Sequence, residues 1–177
     1  MRKQHVIFLL FAAVLAGCNS PTPDPAEVAD RGAALLAPFK ADLKAALIDG
    51  MQEGPAAAIA VCSEQAPAIA ERLSVDGVRM GRSSHRLRNP DNAPPDWLRP
   101  TIDGYATKAV DLAPRVIDLG GGRSGYVEPI VMQPLCLTCH GETLSPEVAA
   151  SLQAQYPEDR ATGFAEADFR GVFWVEF

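Results

Sequence analysis

Cys136, Leu137, Thr138, Cys139 and His140 form a C-x-x-C-H string, the residue pattern that attaches a c-type haem covalently. Two thiols three positions apart lie on one turn and can add to the two vinyl groups of haem. The imidazole next to them can then reach the iron as an axial ligand. Two other chemistries use the same residues. A C-x-x-C pair can be a redox dithiol, but that motif belongs beside a βαβ pattern, and here it follows Val131, Met132, Gln133 and Pro134 without one. Cys136, Cys139 and His140 with the remote Cys62 would make a Cys₃His set for tetrahedral zinc. Zinc ligands usually come as two separated pairs, so one covalent haem c is the expectation.

If His140 takes one axial position, the second needs a candidate. Cys62 is the only thiol after Cys18 outside the C-x-x-C-H string, and a thiolate is a strong, soft ligand for iron. The simpler role for such a residue is a small buried hydrophobe. His85 and an open or water-ligated iron are the alternatives. Met80 and Met132 alternate into strands, where core packing is expected of them, and Tyr126 and Tyr156 are read the same way. Arg82, Arg86, Arg88 and Asn89 make a basic loop in an acidic chain. Guanidinium binds carboxylates in bidentate geometry, so haem propionates are one partner for this loop and water is the other.

The compartment fits this chemistry. Arg2 and Lys3 precede an apolar run from Val6 to Leu15, too short to span a membrane but matched to an export signal. Leu15, Ala16, Gly17 and Cys18 resemble a bacterial lipobox, which implies cleavage before Cys18 and lipid on that residue. Residues 1–17 are thus expected to be a lipoprotein signal peptide and 18–25 a lipid anchor and short tether, with 26–177 as the haem domain. Asn19 after the anchor points to the outer membrane of a Gram-negative cell, facing the periplasm. Loss of residues 1–17 removes two basic residues and no acid, leaving a chain more acidic than its full-length formal charge of −6. That surface argues against nucleic acid as a partner.

The elements that must hold these residues read as α+β in a single domain. Asp24, Pro25 and Glu27 give an N-cap, a first-turn proline and an acidic N3, starting a helix. Its stripe is Leu35, Leu36, Phe39, Leu43 and Leu47, with Pro38 a kink and Gly50 a stop. A second helix is predicted from Pro55 to Leu73, with Ile59, Cys62, Ala66, Ile69 and Leu73 inward and a backbone bend just past Cys62 caused by Pro67. After the Asp76-Gly77 turn, Val78, Met80 and Arg82 suggest a strand that ends in an ordered polar loop over 83–95. A helix over 97–110, a hairpin of strands 115–119 and 126–132 around Gly120–Gly122, a helix from Ser145 to Gln155 and a closing strand over 172–177 complete the reading.

Five strings carry a resemblance: VCSEQAPAIA at 61–70, GRSSHRLRNPDNAP at 81–94, CLTCHG at 136–141, YPEDRATGF at 156–164 and DFRG at 168–171. In this order they resemble a bacterial family of periplasmic c-type haem domains of largely unknown function. The resemblance implies a PAS-like antiparallel sheet with N-terminal helices packed on it, and iron held by His and Cys. It maps His140 to the proximal ligand and Cys62 to the distal thiolate. Two positions depart from the pattern: His85 in Ser84-His85, where a small residue followed by an aliphatic or polar one is expected, and Ala167, where glycine is expected. Two protein ligands would leave no open coordination place, so binding and redox change are expected rather than turnover, with an unknown periplasmic redox partner. A peroxidase-like site with an open distal position, or structural zinc, are the competing classes.

Overall fold

The computed structural model describes residues 24–177. The signal segment, Cys18 and the tether up to residue 23 lie outside the described residues. Helix α1 (Pro25–Glu53) begins as expected, with the Asp24 carboxylate accepting from the Ala26 N–H and proline in the first turn. It runs through Pro38 and through Gly50, ending only at Gly54, whose φ is +114°. Gly50 is therefore a packing residue and not a stop: a Cβ there would lie 3.0 Å from the Ala58 Cα and from a Val61 methyl. Its bareness lets the next helix come close.

The predicted second helix is divided. Helix α2 (Pro55–Ala60) passes into a π-helical turn (Val61–Gln65) and then α3 (Ala66–Leu73). The cause is Pro67, which has no N–H for the Ser63 carbonyl. The backbone takes one residue of slack, and the Ala66 N–H bonds the Val61 carbonyl five residues back. Cys62 sits in that widened turn.

The sheet has strand order β1-β4-β3-β2, all antiparallel: β1 (Arg79–Ser83), β2 (Arg115–Gly120), β3 (Arg123–Val131) and β4 (Phe169–Glu176). The β2–β3 hairpin turns at Gly121 and Gly122, both at positive φ, as a tight two-residue turn requires. Pro129 is tolerated in β3 because β2 pairs only as far as Val127, so the missing N–H falls on an open side.

Both faces of the sheet are covered, which explains the unbroken apolar run of β4. Phe173 and Val175 meet α1 and α3 through Leu36, Phe39 and Ile69, with Met80 of β1 in the same cluster. Val172 and Trp174 meet α4 (Arg99–Ala106) through Leu98, Ile102 and Tyr105. On the first face α1 approaches so closely that a Cβ on Gly32 would lie 2.3 Å from the Tyr126 ring. The α+β expectation with N-terminal helices on the sheet holds, and α4 on the far face adds to it. The helix predicted over 97–110 is shorter because Lys108, at φ +57°, closes it: its N–H bonds Tyr105 and the Ala109 N–H bonds Gly104. Beyond the sheet, α5 (Leu137–His140) and α6 (Pro146–Gln155) pack on α2 through Ile59, Val148, Leu152 and Tyr156. No helix among the described residues is long and apolar enough to cross a membrane.

Candidate functional site

Where α1, α2 and the π turn face the ends of β1 and β4, they leave a cavity of about 280 Å³. Cys62 of the π turn lines it, as do Cys136, Cys139 and His140. The two motifs, more than 70 positions apart in the chain, thus share one space. Leu43, Ile59 and Met132 make its lining apolar. All three cysteines are free thiols.

The four-residue helix α5 is held by a neighbouring segment. The Phe164 N–H bonds the His140 carbonyl at 3.0 Å, and the Gly163 N–H bonds that of Gly141 at 2.9 Å. Between these strings, His140 Nδ1 lies 2.6 Å from the Ala161 carbonyl oxygen. A carbonyl only accepts, so Nδ1 carries the proton. Burial, reinforced by the nearby Arg170 and Arg88 charges, pushes this imidazole down to about 2, so the ring is neutral. Its Nε2 therefore keeps a free lone pair, the state in which imidazole ligates a metal.

The basic loop divides its labour in a way the sequence did not indicate. Arg88 is buried, pairs with Asp159 at 3.1 Å and donates to the carbonyls of Cys139 and Ala161, the latter at 3.2 Å. It lines the cavity but is committed to bracing the backbone around His140. Arg86 does not reach the cavity: it donates to the Arg160 and Thr162 carbonyls and stacks 4.2 Å over Phe164. Asn89 lines the cavity while capping a short 3₁₀ turn (Pro90–Asn92) through the Asp91 N–H. Arg82 lines the cavity, and its side chain has no hydrogen-bonding or ion-pair partner among the described residues.

His85 is not beside the other candidates. Its ring stacks on Phe169 with centroids 5.4 Å apart and opens on a separate cavity with Arg99, Asp103 and Glu158. Competition between His85 and Cys62 for one iron position has no support in this geometry. Met80 and Tyr126 are core residues, as expected, whereas Met132 and Tyr156 are both packed and part of the cavity lining. Among the described residues no three His, Cys, Asp or Glu side chains are gathered closely enough to hold a metal ion, so a Cys₃His set is not assembled here. For the dithiol reading, burial pushes the Cys139 thiol up, the opposite of what a reactive C-x-x-C pair needs.

Three supports escaped the sequence reading: Asp159, Ala161 and Arg170. Each acts through a contact made far along the chain, and two of those contacts are to backbone carbonyls, which leave no mark on composition or periodicity.

The match of a family model extends over residues 22–177, under the description Tll0287-like. The chain belongs to the Tll0287-like family. Among solved structures it is similar to that of the cyanobacterial heme-protein Tll0287, at 23% identity and a TM-score of 0.58. The similarity covers 88% of this chain and 96% of that one. No curated protein matches. The Tll0287-like match agrees in extent with the five strings that carry the sequence resemblance, which all fall within it.

Proposed function

We propose that this protein is an exported haem protein, held to the outer membrane by lipid on Cys18 and facing the periplasm. In this reading Cys136 and Cys139 bind haem c covalently, His140 is the proximal iron ligand and Cys62 the distal one. The observation that carries it is the neutral His140 ring, locked by Ala161 with Nε2 free, sharing one apolar cavity with three unpaired thiols. That donor set fits haem: two thiols for the vinyl groups, an imidazole and a thiolate for iron, and cationic groups for propionates. Haem, when bound, supplies a one-electron ferric/ferrous couple.

The chain's own residues then set what that couple can do. Ala161 fixes the ring orientation of His140, and the Arg88–Asp159 pair fixes Ala161. A Cys62 thiolate donates electron density that favours the ferric state, so the potential is low beside a His/Met cytochrome. With His140 and Cys62 both committed to holding the iron, the role would be electron carriage or redox and gas sensing, not turnover of a substrate. A carrier keeps Cys62 on reduction; a sensor releases it. The π turn that holds Cys62, a backbone form common at functional sites, is where such a release would begin.

The test is the absorption spectrum of a chain starting at Asn19, made with a c-type haem maturation system. A Soret band that survives acid–organic extraction and is low-spin and six-coordinate is expected. Lack of covalent haem would refute the reading. Cys62→Ala should turn the ferric spectrum high-spin or aquo-ligated, and an unchanged spectrum removes Cys62 as ligand. CO uptake by the ferrous protein separates a sensor from a carrier.

A further inference from the structure

The cavity wall is electrostatically one-sided. Lys40, Lys44, Arg82, Arg88 and Arg170 line it, with no Asp or Glu, in a chain that carries 22 acids against 16 bases. Two of these cations are already neutralised: Lys40 by Glu128 and Arg88 by Asp159. Arg170 is different. Its Nε is fully buried with no partner, and its one side-chain bond is a long one, 3.3 Å, from Nη1 to the Arg86 carbonyl. A buried guanidinium with an orphaned donor costs stability unless something completes it.

The side chain is nonetheless held firmly. Arg170 lies on β4 beside Gly171, and its own carbonyl accepts from the Ser84 hydroxyl at 2.6 Å. Its guanidinium rests 5.6 Å over the Phe164 ring, whose other cationic neighbour is Arg86 and which meets the His140 ring in a T-shaped pair. Burial, with Arg88 and Arg82 nearby, pulls Arg170 down to about 10, which marks how poorly its charge is compensated by the protein alone. A rigid, desolvated fork with a free N–H is suited to one kind of partner, a carboxylate taken up end-on or in bidentate fashion.

We propose that Arg170, with Arg82 lining the same cavity, is the counter-charge for a propionate carboxylate of the cofactor, a role the loop arginines Arg86 and Arg88 do not fill. The inference rests on the haem reading above. It makes β4 the strand that senses the ionisation of that carboxylate. Because an Arg partner holds a carboxyl group in its charged form, loss of Arg170 raises the pKa of the propionate and moves the pH at which the reduction potential changes.

The experiment is a redox titration of the holoprotein over a range of pH, for the unsubstituted chain, Arg170→Gln and Arg170→Lys. In Arg170→Gln the midpoint of the pH-linked change in potential should move up by about 1–3 pH units. Arg170→Lys, which keeps charge and most of the packing stem, should move it less in the same direction; it carries the test alone if Arg170→Gln does not fold. A purely structural Arg170 would lower thermal stability while leaving the pH midpoint where it was, and that result overturns the proposal. An unsubstituted chain without covalent haem would overturn the haem reading and this inference together, whereas normal haem with unmoved midpoints overturns the inference alone.

Discussion

Replacing Arg88 by methionine keeps the apolar stem of the side chain but removes every bond its guanidinium makes. The Arg88 and Asp159 side chains are only 9% and 10% exposed, so water cannot take over for the missing partner. Asp159 would be left as a buried carboxylate, and the carbonyls of Cys139 and Ala161 would each lose a charged donor. Breaking a buried pair from one side costs about 3–5 kcal/mol, a large part of the roughly 5–15 kcal/mol that holds a domain of this size together. By contrast Arg72–Asp42 and Arg99–Asp96 are exposed pairs, and an exposed pair such as Arg72–Asp42 is worth less than about 1 kcal/mol. Arg88→Met should therefore lower Tm by about 6–20 °C, read by circular dichroism on the ferric holoprotein, while Arg72→Ala moves it by only about 1–4 °C. Adding Asp159→Asn to Arg88→Met should recover part of the loss, since the stranded charge is gone. A loss below about 1 kcal/mol in the single variant, or strict additivity in the double, would show that Arg88 is not a brace.

Ala167 has φ +66° in the exposed turn that leads into β4, a left-handed conformation that glycine adopts without strain. Ala167→Gly should stabilise the protein by about 0.5–1 kcal/mol after the added freedom of the unfolded chain is subtracted, and a lower Tm would contradict this. Burial, helped by the neighbouring Glu128, pushes the Tyr126 phenol up to about 12. Because the folded value lies above the ordinary one near 10, this group's contribution is complete below pH ~10 and is lost as pH rises toward 12. An alkaline titration followed at 295 nm should show Tyr126→Phe removing the latest-ionising phenol; ionisation of Tyr126 alongside the others would refute it.

The parts legible in the sequence are those whose cause is local. Helix α1 starts where Asp24, Pro25 and Glu27 dictate, the hairpin turns where successive glycines permit, and Pro67 disturbs the helix close to where its missing N–H predicts. A helix face and a five-residue motif place Cys62 and His140 only locally; their pairing came from the resemblance and from iron-ligand chemistry, and both line one cavity. The stop expected at Gly50 was wrong for an instructive reason: glycine ends helices by its freedom but also permits close packing, and only the partner helix decides which. The arginines divided in the same way. Arg82, Arg86 and Arg88 look alike in sequence, yet one faces the cavity, one stacks on Phe164 and one clasps carbonyls 51 and 73 positions away. No pattern of neighbours encodes that choice.

The packing also separates the sheet from the layer that carries the cysteines. The two clusters that clamp the sheet, around Phe39 and Val175 on one face and Ile102 and Val172 on the other, contain no cysteine. Cys139 packs in the cluster of Ile59, Val148, Leu152 and Tyr156, and Cys136 in that of Met132, Ala161 and Phe164. These smaller clusters border a cavity, so their residues lack apolar neighbours on one side until it is filled. On the haem reading the sheet core would be complete without the cofactor and the α2–α5–α6 layer would not. Hydrogen exchange on the haem-loaded chain and on a Cys136→Ala/Cys139→Ala variant should show equal protection in β3 and β4, with faster exchange in α2, α5 and α6 only when haem is absent. Equal loss across the sheet would mean that the two halves fold as one unit and that the cavity, not the sheet, organises the molecule.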